Sequence, residues 1–410
     1  MVSFMYELGS AGHDRLSGYF NKIGSCLRDK RKRASFAMYA YGILGEGERK
    51  SVEPIAARAS GDPALVRAYT ERLLHFVGEA TWDDLAVRRQ ATEHAIKAMA
   101  TQEPVTVWII DDTGMLKQGK HSVGVQRQYT GSAGKVANCQ IAVTLSAATR
   151  YEAMPIDVAL YLPASWTTDA GLRKKARIPD EVTFKTKPEL ALDMIERACL
   201  DEVPGEVVLA DSAYGDSAEF RSGVRLFGLD YAVGVKSLTK VYVLNKAGRR
   251  RGDAISVKDL ATKLGRKAFR RVTWREGTSP AKLSARFCFR RVKVAHDDGT
   301  ELEEREDVWL AIEWRDGEAE PAKYHLTTLP RRMTKKEIVR IIKERWRTER
   351  VYQELKGELG FDHFEGRSFP GWHHHVSVVL CCYAFVVAER LRRFPPSALT
   401  AQGGEDQCAA

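Results

Sequence analysis

Residues 105–114, VTVWIIDDTG, decide how the rest of the chain is read. The run at 105–110 is rich in β-branched and aromatic side chains and predicts a short buried strand. Asp111, Asp112 and Thr113 follow at its end. A second compact apolar segment, VVLA at 207–210, again delivers an aspartate, Asp211, in the sequence ADSAYG. Between and beyond them, 138–146 (NCQIAVTLS), 152–162 and 231–235 read as strands, 129–134 as a Gly-rich turn and 190–200 as a helix. Strands interleaved with helices predict an α/β sheet with ligand chemistry at strand ends. One aspartate at a strand end is more often a turn or cap residue, so it is the recurrence that carries information.

Before this region, residues 1–100 read as helical, with periodic apolar positions at 36–44, 52–59, 64–77 and 85–99. The charge run from Arg28 to Arg33 lies early in that block; a solvated helix face is its ordinary explanation and DNA binding the sharper one. After it, 237–330 carries alternating runs at 286–294 (RFCFRRVKV), 308–314 (VWLAIEW) and 324–329 (YHLTTL), the pattern of an antiparallel β region. The tail at 396–410 reads as flexible. The chain has 410 residues, 64 Lys+Arg against 54 Asp+Glu, a formal charge of +10 and a pI near 9.2, which suits a polyanionic partner. Seven scattered cysteines fit neither a disulfide framework nor a zinc knuckle. No secretory signal pattern opens the sequence, and the longest apolar run, 376–387 (VSVVLCCYAFVV), is short for a bilayer and reads as a buried helix.

Residues 335–360, KKEIVRIIKERWRTERVYQELKGELG, read as one helix. At 3.6 residues per turn Arg345, Glu349, Tyr352 and Lys356 share a side, beside an apolar stripe formed by Ile338, Ile341, Ile342, Val351, Leu355 and Leu359. A carboxylate with cations four before and seven after it suits a group kept ionised in a half-dry site. Carboxylates have little reason to converge in a core unless a divalent cation neutralises them. Hard-oxygen ligands of this kind suit Mg²⁺, and two such ions can activate a nucleophile and stabilise a leaving oxygen at phosphorus.

The segments WIIDDTGMLKQGKHSVGVQRQYTGSAGKVANCQIAV, VVLADSAYGD and RWRTERVYQELK resemble the DDE transposases of bacterial insertion sequences. The likeness covers roughly 105–235 and 330–390, including YLPASW and KTKPELAL, and is weaker over the first hundred residues. It implies an α/β fold with an RNase H-like catalytic core, a helical N-terminal DNA-binding domain (1–100) and a β-rich insertion (237–330) between the second Asp and the Glu. The core would comprise 101–236 and the helices of 331–395. Carried over residue by residue, the catalytic, metal-holding triad falls on Asp111 (Asp112 competing), Asp211 and Glu349. Arg345 and Lys356 match the arginine and lysine of a Tyr-Arg-Glu-Lys helix signature, whose tyrosine is replaced here by Ile342. The implied chemistry is Mg²⁺-dependent cleavage at transposon ends, with Mn²⁺ as a substitute, and strand transfer of the 3′-OH into target DNA. The implied partner is double-stranded DNA, held by a homodimer in the bacterial cytoplasm, with no membrane.

Phosphate contacts are expected of Arg345 and Lys356, and of Lys117, Lys120 and Arg127 in the loop after the first aspartate, where a plain basic hairpin is the rival explanation. Trp309, Trp314 and Tyr324 are stacking candidates for a base, although each is more simply a core residue. Alternatives for the whole chain are a catalytically inactive, domesticated DNA-binding descendant and a metal-dependent phosphohydrolase. His373, His374 and His375 point in different directions on a helix and lack the spacing of a metal site. Gly131–Gly134 lacks the Lys-Ser/Thr pair of a phosphate loop, and Ser212 lacks a nucleophile elbow.

Overall fold

The computed structural model describes residues 8–275, 283–295 and 305–393; the tail expected at 396–410 lies outside them. Five helices come first: α1 (Gly9–Gly24), α2 (Lys30–Leu44), α3 (Val52–Ser60), α4 (Val66–Leu74) and α5 (Asp84–Ala100). Four strands follow, β1 (Val107–Leu116), β2 (Gln126–Thr130), β3 (Lys135–Ala148) and β4 (Ala153–Tyr161). Next come α6 (Lys187–Leu200), β5 (Val207–Ala210), α7 (Ala218–Leu226), β6 (Asp230–Val235), β7 (Lys240–Val243), β8 (Ile255–Ser256) and α8 (Val257–Leu264). The remainder is β9 (Arg270–Arg275), β10 (Leu283–Val294), β11 (Val308–Trp314), β12 (Lys323–Thr327), α9 (Lys335–Lys343), α10 (Arg347–Gly357) and α11 (Phe369–Arg393).

These elements fall into two compact units. Within the described residues the first comprises 8–105, 112–190 and 347–393, and the second 106–111, 191–275, 283–295 and 305–346. In the first unit, local chemistry sets the helix starts. The Asp29 carboxylate accepts from the Arg31 amide and caps α2, and Asp83 does the same for α5 through Ala86. The charge run at 28–33 is thus the capped first turn of α2. The unit is organised around α11, whose residues from Trp372 to Phe385 are buried except for His373. Arg15 sets a two-pronged ion pair on Glu389 (2.8 and 2.8 Å), the Tyr19 hydroxyl donates to the Cys381 carbonyl, and Tyr39 bonds His375 at 2.8 Å. By length and composition α11 could cross a bilayer, yet its apolar surface is spent on this packing. The six cysteines among the described residues are unpaired thiols.

The second unit begins with three parallel strands. β1 pairs β5 in the register Val107↔Val207 to Ile109↔Leu209, and β5 pairs β6. From β6 the pairing turns antiparallel through β12, β11, β10 and β7, with β9 also on β10. The strand expected at 308–314 is β11 residue for residue, and 207–210 is β5. The alternating runs expected between 237 and 330 are therefore antiparallel strands, with α8 between β8 and β9.

Two local expectations differ from the structure. β1 does not stop at Ile110 but continues to Leu116, so Asp111 and Asp112 lie within a strand. Past Ile110 the strand loses β5, which ends at Ala210, but keeps β3 as neighbour. The helix expected over 335–360 is two helices, α9 and α10, joined by a tighter 3₁₀ turn at Glu344–Trp346. Side chains at this turn hold the chain: Lys343 reaches both oxygens of Glu313 at 2.7 Å, and the Arg275 guanidinium lies 4.8 Å from the Trp346 ring centre. A 3₁₀ turn winds 3.0 residues per turn, so it resets the face that α10 presents.

Candidate active site

The second unit carries Asp111 within β1 and Asp211 just past the end of the adjacent β5. The last printed pair of their parallel register is Ile109↔Leu209, so each aspartate stands two residues further on, at matching positions on strands about 4.8 Å apart. Asp211 follows the final residue of β5 and caps the one-turn helix Ser212–Gly215, its Oδ1 accepting from the Ala213 amide at 2.8 Å. The cap role anticipated for a strand-end aspartate is thus present, and it engages one of the two carboxylate oxygens. Gly215 makes this turn possible: a Cβ there would lie 2.0 Å from the Gly234 carbonyl oxygen on β6.

Asp111 is ion-paired. Arg345, in the 3₁₀ turn, donates from Nη1 to Asp111 Oδ2 at 2.7 Å, with the two side chains 28% and 14% exposed. Strand alternation sends Asp112 to the opposite face, where the Lys187 ammonium meets its Oδ2 at 3.0 Å within the first unit. Glu349 stands in the first turn of α10, in the first unit, and is exposed. Among the described residues no three His, Cys, Asp or Glu side chains converge as a ready-made metal cluster. The donor set still suits a hard divalent ion, since the Asp111 and Asp211 carboxylates offer oxygen ligands, with Arg345 occupying one oxygen of Asp111.

The other expected residues are placed as follows. Lys356, on α10, donates to the Gly114 carbonyl (2.7 Å) and to Ser132 Oγ (3.0 Å), and burial lowers its pKa. Lys117 is spent on two carbonyls, those of Asp362 (3.1 Å) and Phe364 (2.7 Å), and burial brings its pKa down to about 8. Lys120 and Arg127 are exposed. Trp309 has the Lys335 ammonium 3.0 Å from its ring centre and Arg291 at 4.8 Å. Trp314 is buried, its indole donating to the Glu318 carbonyl, and the buried Tyr324 donates to the Pro321 carbonyl. Ile342, at the signature's tyrosine position, is 5% exposed and packs as a core residue. Tyr352 is buried too, its hydroxyl 2.6 Å from Thr144 Oγ1, so it does not share an open face with Glu349. The three histidines are satisfied by Phe369 O, by Val77 O and Trp82 O, and by Tyr39 and Gly360 O, respectively.

Sequence reasoning missed two partners of the acidic pair. It did not find Arg345 as the ion-pair partner of Asp111, nor Lys187 on Asp112, although Lys187 sits in the KTKPELAL stretch. It also set aside the 131–134 turn, whose Ser132 accepts from Lys356. A hydroxyl in a Gly-rich turn following an acidic strand was the available signal.

Residues 22–281 match the DDE superfamily endonucleases, and the chain belongs to that family. Asp111 and Asp211 fall within the matched residues and Glu349 beyond them. The chain is also 28% identical over 221 residues to a probable transposase for insertion sequence element IS701 from Microchaete diplosiphon, covering 54% of this chain. The chain matches about half (53%) of that relative's length. Enzymes of this superfamily generally use divalent metal ions.

Proposed function

We propose that the protein is the transposase of an insertion sequence, cutting at the element's ends and joining the freed 3′-OH to target DNA. The observation that carries this reading is the matched placement of Asp111 on β1 and of Asp211 directly after the adjacent parallel strand β5. The three parallel strands of the second unit and the β2–β3–β4 meander of the first support an RNase H-like core. The alternation along β1 favours Asp111 over Asp112 as the first acid, because Asp112 faces away and is held by Lys187.

Asp111, Asp211 and Glu349 would hold Mg²⁺. When bound, the ions supply positive charge for the phosphodiester transition state and a nucleophile at neutral pH. The chain's own residues do the rest. With an ion held at Asp111, the Arg345 guanidinium that now pairs with that carboxylate would be available to a backbone phosphate, a contact that positions without reading sequence. Lys356 stays on the Gly114 carbonyl and fixes α10, the helix of Glu349, to β1. Asp211, held by its own cap, keeps its second oxygen for the site. Holding two DNA ends calls for a dimer on DNA, with the helices of 1–100 as the end-binding part.

The test is cleavage of a labelled duplex carrying the DNA that flanks this reading frame. Glu349→Gln should bind that duplex as the parent does and cut at least about 100-fold more slowly in Mg²⁺. A Gln variant that cuts and joins normally removes Glu349 from the site.

A further inference from the structure

The net charge of the chain is concentrated in one stretch. From Lys240, where β7 starts, to Arg275, where β9 ends, there are twelve Lys+Arg and two acids, Asp253 and Asp259, a formal charge of +10. The other 374 residues hold 52 Lys+Arg and 52 Asp+Glu and are neutral as a set.

Strand pairing within the second unit places this stretch. On one side β10 meets β11, from Arg286↔Trp314 to Val292↔Val308. On its other side β9 takes the first part, Leu283↔Arg275 to Phe287↔Arg270, and β7 the last three residues, Val292↔Val243 to Val294↔Val241. β9 and β7 therefore lie end to end along one margin of the sheet, with β8 outside β7. The twelve residues of β10 give that margin a length of about 36 Å, one turn of B-DNA.

Arg250, Lys258, Arg266 and Arg271 have acidic partners in Asp253, Glu320 and Asp316. Lys246, Arg249 and Arg251 at the turn after β7, and Lys263, Lys267 and Arg270 further along, are exposed and meet no carboxylate among the described residues. Cations on a sheet margin ordinarily prevent edge-to-edge pairing, but of these six only Arg270 lies on a strand. The turn is built: Asn245 Oδ1 accepts from the Ala247 and Arg249 amides at 2.9 and 3.0 Å, and Gly248 takes φ +77°. That occupies the only side-chain amide of the stretch, so the margin presents charge and no free Asn or Gln to read bases.

We propose that this margin grips duplex DNA by its backbone, without regard to sequence. Cations that neutralise phosphates supply affinity and no base readout. The proposal rests on the transposase reading above and names the duplex as the target, because an element's ends recur at each event while the DNA it enters does not.

The experiment uses the full chain and a labelled duplex of unrelated sequence, with affinity measured between 50 and 200 mM salt. Lys246→Gln/Arg249→Gln/Arg251→Gln should make the slope of log affinity against log salt shallower by about 3, and Lys263→Gln/Lys267→Gln by about 2. Thermal midpoint and elution volume should match wild type, since these side chains are exposed. Joining of a pre-cut end to target should fall in the triple variant at 200 mM salt and recover at 50 mM. Wild-type slopes in both variants overturn the proposal and leave the transposase reading standing. Self-association of the variants with wild-type slopes overturns it in favour of edge protection. A loss seen only on duplexes carrying the element's ends, or a shallower slope with joining unimpaired at 200 mM salt, overturns the target assignment. Wild type that binds no duplex overturns both readings.

Discussion

Replacing Lys343 by methionine should unsettle the turn that carries Arg345, and the structure sets the size of the effect. Glu313, on β11, is 1% exposed at its side chain and takes both carboxylate oxygens to the Lys343 ammonium at 2.7 Å. That ammonium is itself 4.5 Å from the Trp274 ring centre. Burial by itself pushes Glu313 up, but the groups around it, Lys343 foremost, together hold the carboxyl below its ordinary range. Breaking a buried pair by removing one partner typically costs about 3–5 kcal/mol, because a charge is left behind. Arg315 reaches Glu313 at 3.4 Å from a half-exposed position and retains a little of this; His325 cannot help, since burial keeps it neutral down to about pH 3. A loss of about 3 kcal/mol corresponds to a drop of roughly 6–12 °C in the midpoint of a cooperative unit of 150–250 residues. The pH dependence reverses sign between the two proteins. In wild type the Glu313 contribution is complete above the ordinary carboxyl pKa of 4.5 and is lost as pH falls through the depressed value. In the variant, burial without a cation raises Glu313, so the deficit is greatest at neutral pH and shrinks as acid protonates the carboxyl. Calorimetric scans from pH 5 to 8 on wild type, Lys343→Met and Lys343→Met/Glu313→Leu decide the matter. The double variant should recover most of the loss, because a well-packed apolar pair replaces an ion pair at little cost. A single-variant shift under about 2 °C, a deficit independent of pH, or a double variant no better than the single one would refute the reasoning.

Gly114→Ala should cost about 1–3 kcal/mol in urea unfolding, because the new methyl falls on Thr130, and Thr130→Ala in the same chain should return part of it. Lys117→Met should leave the salt slope of DNA binding unchanged, since its ammonium already serves two backbone carbonyls, whereas Arg127→Met should reduce that slope by about one. A parallel fall in both variants, read from affinities between 50 and 200 mM salt, would show that Lys117 leaves its carbonyls to meet phosphate.

What could be read from sequence follows the range of the interactions involved. β5 and β11 are visible residue for residue because each is a short apolar run bounded by polar residues, and burial on both faces writes such strands into composition directly. β1 is misjudged at its end because the signal used was apolarity. The strand continues through two aspartates and a glycine beside β3, its neighbour in the strand order, which no local pattern announces. The break at Glu344–Trp346 is hidden for a related reason: an amphipathic period continues across it, and what alters the winding lies elsewhere, on β9 and β11. The acids show the same division most sharply. Spacing along the chain suffices to nominate Asp111, Asp112 and Asp211, since a strand that ends or bends at a carboxylate is a local event. Choosing between Asp111 and Asp112 requires knowing which face each occupies and which cation meets it. Those cations stand 234 residues away for Asp111 and 75 for Asp112. A carboxylate's neutralising partner is set by how the chain returns, not by its neighbours, so local sequence can find an acid before it can say what the acid is held against.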